Sequence, residues 1–102
     1  MNLWNGGDNM DKRTASYKLN YEIGVFMFRA INNETSIHSD YDVHNNFIGI
    51  IEELNTAYVF NKSSVLCGFE NEWQNVYGDY DKEKILDLFS DANFIYEINY
   101  TE

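Results

Sequence analysis

The chain has no proline, a single cysteine and few cations: 7 Lys and Arg stand against 17 Asp and Glu, for a formal net charge of -10 over 102 residues. One cysteine excludes an intramolecular disulfide and suits a reducing compartment. Cys67 lies in the apolar run Val65-Leu66-Cys67-Gly68-Phe69, with no base or positive charge nearby to lower its pKa. It is therefore expected to pack as a small buried hydrophobe rather than to act as a nucleophile. Long apolar runs are also missing. A run such as Val25 to Phe28 is far short of the ~20 residues of a membrane span, and no basic segment followed by an apolar one opens the chain. The expectation is a soluble protein in the cytoplasm of a bacterial host. Scarce cations argue against direct binding to nucleic acid, because phosphates would repel this surface. No G-x-S-x-G, phosphate-binding loop, dinucleotide fingerprint or zinc cysteine pair occurs, so neither an enzyme nor a cofactor is expected.

The chain does have aromatic residues, at 17%, within a hydrophobic content of 44%. That composition suits a packed globule, since disordered acidic tails are poor in aromatics, and the length suits one domain. The negative charge is then displayed on a folded surface, and unevenly. Residues 1 to 39 balance, while residues 40 to 102 hold all of the net charge. Abundant Asn, Ile, Lys, Tyr and Phe with no Pro is what AT-rich codons produce, which points to a low-GC Gram-positive bacterium or its phage. Trp4-Asn5-Gly6-Gly7-Asp8-Asn9 back-translates into a ribosome-binding sequence just before Met10. Met10 is therefore the expected native start, which retention of Leu3 or Trp4 in the native protein would exclude. Residues 1–12 are expected to form a poorly ordered leader and residues 13–102 the single domain.

Tyr17, Leu19, Tyr21, Ile23 and Val25 alternate with polar or small residues, the signature of a half-buried strand over 17–30. A helix competes there, because Tyr21, Val25 and Phe28 also fall at helical spacing. Ser39 and Asp42 match a capping box ahead of Val43, Phe47, Ile50, Ile51 and Leu54, which predicts a helix over 41–55. The runs 56–60 and 65–69, joined by Asn61-Lys62-Ser63-Ser64, read as a hairpin. Asp79 and Asp81 can cap a helix over 81–91, and Phe94, Tyr96, Ile98 and Tyr100 alternate as a last strand. The order strand-helix-strand-strand-helix-strand is that of the ferredoxin-like split arrangement. It predicts an α+β domain with an antiparallel sheet and two helices on one face.

His38, Asp40, Asp42 and His44 gather groups that bind metals, but without an established ligand spacing. The capping box already accounts for Asp42. Asp79-Tyr80-Asp81-Lys82-Glu83 lacks the glycine and the terminal Glu of a calcium loop, so capping explains it better. No metal site is expected. Glu83, Asp87 and Asp91 recur every fourth residue and so form one acidic row on a helix, with ~6 Å of rise between neighbours. Asp79 and Asp81 extend the row where the helix dipole favours acids, and Glu70 and Glu72 lie close in sequence. Trp73, Tyr77 and Tyr80 mix aromatics with these acids, as protein interfaces do. The plain alternatives are a solvated face for the acids and a place over the core for Trp73.

These ten residues form the expected partner-binding set, with carboxylates replacing phosphates against Arg and Lys. The partner is expected to be a basic host protein, a nucleic-acid enzyme such as a CRISPR nuclease. The chain would then be a phage-encoded anti-defence, anti-CRISPR-like factor acting as a nucleic-acid mimic. An immunity protein blocking a toxin nuclease would use the same physics, and a phage assembly factor is a further alternative.

Overall fold

Between residues 17 and 34 the sequence satisfies two periods at once, and burial decides between them. In the computed structural model, which describes residues 12–34 and 43–101, Asn20, Ile23, Gly24, Met27, Phe28, Ala30 and Ile31 are buried. That spacing belongs to a helix, α1 (Tyr17–Glu34), and corrects the expected strand. The remaining elements are β1 (Arg13–Thr14) before it and then α2 (Val43–Asn55), β2 (Tyr58–Asn61), α3 (Lys62–Tyr77), α4 (Lys82–Tyr96) and β3 (Tyr100–Thr101). The Ser39 and Asp42 capping box lies outside the described residues.

Of two further expected strands, 65–69 is helical, and 94–100 is helical through Tyr96 and reaches a strand only at Tyr100. Asn61 has extended backbone (φ -91, ψ 121), and its side chain accepts from the Ser64 amide at 3.0 Å. What reads as turn chemistry is thus a helix N-cap. Val65, Gly68, Phe69, Glu72 and Trp73 are then buried along one face of α3. At the other end of the chain, α4 continues through Phe94 and Tyr96. It stops where Glu97 turns left-handed (φ 53, ψ 51) and donates its amide to the Asn93 carbonyl at 2.7 Å.

The expected antiparallel sheet with two helices on one face is overturned as well. The described chain is 75% helix, and its strands form a small parallel sheet in the order β1-β2-β3. Arg13 pairs with Tyr58 and Thr14 with Val59, and Phe60 pairs with Tyr100 and Asn61 with Thr101. Parallel neighbours need a crossover, and each crossover here is a pair of helices: β1-α1-α2-β2, then β2-α3-α4-β3. The domain is two β-α-α units closed by a last strand, with no sequence repeat to announce it. No helix among the described residues is long and apolar enough to cross a membrane.

The two units meet where α1 packs on α3. Gly24 faces the backbone of Val65 and Phe69, and Gly68 faces the backbone of Tyr21, with no room at either for a Cβ. Beside this crossing, edge-on aromatic contacts build the core. Phe28 meets Phe69 at 5.4 Å between centroids, and Phe69 meets Phe89 of α4 at 5.2 Å. Phe47 of α2 meets Tyr96 at 4.7 Å. Such pairs add roughly 0.5–1.5 kcal/mol each to the area they bury.

A buried amide ties the two strand-to-helix corners together. Asn20, 1% exposed, donates from Nδ2 to the carbonyls of Ala15 (3.1 Å) and Ser16 (2.8 Å), and its Oδ1 accepts the Asn61 amide at 2.8 Å. Both hydrogens of the side-chain amide and its oxygen have partners, so its burial is compensated.

Candidate binding surface

The sequence-derived site residues fall on the end of α3, the turn after it and α4, where the structure divides them into two groups. The first group is engaged within the fold. Trp73 is 9% exposed, lies against the rings of Phe28 (6.2 Å) and Tyr77 (4.8 Å), and donates its Nε1–H to Asp79 Oδ1 at 3.0 Å. Glu72, 8% exposed, accepts from Arg29 Nε at 2.8 Å and from Asn75 Nδ2 at 3.3 Å. Asp81 caps α4 by accepting the Lys84 amide at 3.2 Å. Glu70 accepts the Tyr80 hydroxyl at 3.0 Å, a bond that raises the pKa of Tyr80, and the Tyr77 hydroxyl donates to Asn32 at 3.0 Å. Tyr77 and Tyr80 still leave half of their surface in solvent. Trp73 and Glu72 do not.

The second group is Glu83, Asp87 and Asp91. All are exposed on α4, and none of their side chains has a hydrogen bond or ion pair among the described residues. The buried face of that helix is Ile85, Phe89, Ala92 and Tyr96. At 3.6 residues per turn, Glu83 and Asp87 lie within about 30° of the line opposite this face and Asp91 within about 50°. Their carboxylates therefore point away from the protein. Lys82 and Lys84 flank the N-terminal end of the row.

Sequence reasoning found Tyr77 and Tyr80 beside the acids but missed Val76, Leu86, Phe94 and Ile95. Of the seven exposed large hydrophobics among the described residues, six lie between residues 76 and 95: Val76, Tyr77, Tyr80, Leu86, Phe94 and Ile95. Phe94 is 82% exposed and lies on the outward line itself, eleven residues beyond Glu83. Extending the row at helical spacing past Asp91 would have found it, but the alternation of 94–100 assigned that segment to a strand.

Elsewhere, a groove of about 590 Å3 runs along the outer side of α1, lined by Tyr17, Tyr21, Val25 and Phe26 together with Lys18, Glu22 and Arg29. Cys67 is exposed, contrary to the expected burial, with its Sγ 3.5 Å from the Tyr17 hydroxyl. Its surroundings change because the residues around it belong to a helix, which turns position 67 outward while Gly68 and Phe69 face in. No group of three or more His, Cys, Asp or Glu that could hold a metal occurs among the described residues. His38, Asp40 and Asp42 lie outside those residues, and His44 Nδ1 is 2.9 Å from the Tyr96 hydroxyl.

Compared with protein-family models, curated proteins and solved structures, the chain matches none. The functional argument therefore rests on the surface itself.

Proposed function

We propose that this protein is a small acidic inhibitor that binds a basic, nucleic-acid-binding protein of a bacterial host, as phage anti-defence factors do. The outer line of α4 would occupy the site where phosphates normally lie. The observation that carries this reading is the row Glu83-Asp87-Asp91, exposed and unpaired on one side of one helix. Like charges four residues apart cost a helix roughly 0.2–0.5 kcal/mol per pair; the helix dipole favours Glu83 in the first turn of α4, but no ion pair among the described residues offsets the cost at Asp87 and Asp91. A cationic partner would. Most of the remaining acids add to the same sign of potential, which speeds encounter with a positive groove.

The test begins with capture on immobilised protein from a low-GC Gram-positive lysate, with elution by salt and by competing DNA. The captured protein is then assayed against the variant Glu83→Gln/Asp87→Asn/Asp91→Asn. Its association rate at low ionic strength is expected to fall on the order of 10-fold, with the deficit shrinking as salt rises. Its melting temperature should stay within a few degrees of the native value, because the removal of two like-charge pairs is set against the loss of an acid from the first turn of α4. A nucleic-acid-binding partner that bound the variant as fast as the native protein would defeat the proposal.

A further inference from the structure

Phe94 places most of a large apolar ring in water at the C-terminal end of an acidic row. The rise from Glu83 to Phe94 is ~16 Å and that from Asp91 to Phe94 ~4.5 Å. Along one line of α4 the protein thus presents three anionic groups and then an aromatic face, with Leu86 (38% exposed) and Ile95 (44%) to either side. We infer that Phe94 takes the place of a nucleic-acid base, and that the partner surface is a groove built for single strands. Such grooves combine cations that follow the backbone with aromatic side chains on which unpaired bases stack. A duplex groove suits this line poorly. Duplex bases are stacked on one another, so a protein that grips duplex phosphates has no call for a slot that receives a ring. The inference rests on the reading of α4 as a polyanion and adds to it the strandedness of what is imitated.

A minimal groove tests it. In the extended peptide Lys-Ser-Lys-Ser-Lys-Ser-Trp, side chains two residues apart share a face and sit ~6.6 Å apart. Its cations therefore match the ~6 Å rise between carboxylates on α4, and its indole follows them. The control replaces Trp by Ser at equal charge. Titrated into the full chain at low salt and followed by NMR, the Trp peptide is expected to bind on the order of 5- to 150-fold tighter than the control, the range that stacking of one base commands. It should shift the Phe94 ring resonances together with the α4 amides. Phe94→Ala should abolish the difference, and Phe94→Trp should keep it. Because the ring is exposed, neither change removes a core contact. Equal affinity of the two peptides, or a difference that survives Phe94→Ala, would overturn the role of Phe94 while leaving the acidic row as a binding surface. If neither peptide moved the α4 amides, both readings would fall together.

Discussion

Gly24→Ala and Gly68→Ala are each expected to lower stability by about 3 kcal/mol or more, while Gly49→Ala should raise it by about 0.4–1 kcal/mol. A Cβ on Gly24 would fall inside the van der Waals envelope of the Val65 carbonyl oxygen and 2.7 Å from the Phe69 amide nitrogen; one on Gly68 would meet the Tyr21 carbonyl in the same way. The obstructing atoms are helix backbone on both sides. No rotamer can move them aside, so α1 and α3 would have to separate, loosening the Phe28–Phe69 contact beside the crossing. At Gly49, on the outer side of α2, nothing lies within 4 Å of an added Cβ, and alanine only removes freedom from the unfolded chain. For a domain of this size 1 kcal/mol moves the melting temperature by roughly 4–8 °C. Thermal melts followed by circular dichroism should therefore show falls beyond about 12 °C at 24 and 68 and a rise of a few degrees at 49. A Gly24→Ala melt near that of the native protein would mean that the two helices do not cross there.

The same glycines explain why part of the fold could not be read from the sequence. Positions four residues apart belong to both the strand and the helix period, so Tyr17, Tyr21 and Val25 fit either, and the residues between them decide. Two of those are Asn20 and Gly24, which alternation assigns to solvent and the structure buries. One is buried because its amide is fully bonded, the other because a bare backbone is what the crossing needs. Neither reason shows in a hydrophobicity pattern. The run 65–69 misled in a similar way, since Gly68 and Cys67 within apolar residues suit a strand as well as a helix. Near the end of the chain Phe94, Ile98, Tyr96 and Tyr100 repeat at two and at four, and the helix stops on the left-handed Glu97 without a glycine or proline to mark it. The apolar face of α2 and the Asp81 cap of α4, where local signals are strong, were legible. Strands of two residues carry no pattern at all, which put the parallel order out of reach.

The candidate site follows the same division. The row Glu83-Asp87-Asp91 was legible because a four-residue repeat of one charge is a pattern in its own right. Which neighbouring acids are free was not legible. Asp79 is taken by the Trp73 indole and Glu72 by Arg29, partners six and forty-three residues away. Pairings of that kind depend on how α3 packs against α1 and against its own following turn. Phe94 was hidden by a mistaken period rather than by lack of signal.

Asn20→Leu is expected to cost about 2–4 kcal/mol, because it keeps the side-chain size but leaves the Asn61 amide without its partner in the interior and strips donors from the Ala15 and Ser16 carbonyls. Asn20→Asp sharpens the test by making the loss depend on pH. A carboxylate there still accepts from Asn61, but it faces two carbonyl oxygens that had received hydrogens, in a site 1% exposed. Burial and these acceptors both disfavour the charged form, so the folded-state pKa of the new carboxyl rises above its unfolded value of about 3.9. Between the two values the folded state binds more protons than the unfolded, so stability falls as pH rises through that window and recovers as pH is lowered. The gap in melting temperature between the native protein and Asn20→Asp should accordingly be larger at pH 7.5 than at pH 4.5, whereas the gap for Asn20→Leu should stay constant. A pH-independent gap for Asn20→Asp would mean that residue 20 reaches water. The buried link between the Ser16 and Asn61 corners would then not be what holds the two β-α-α units in register.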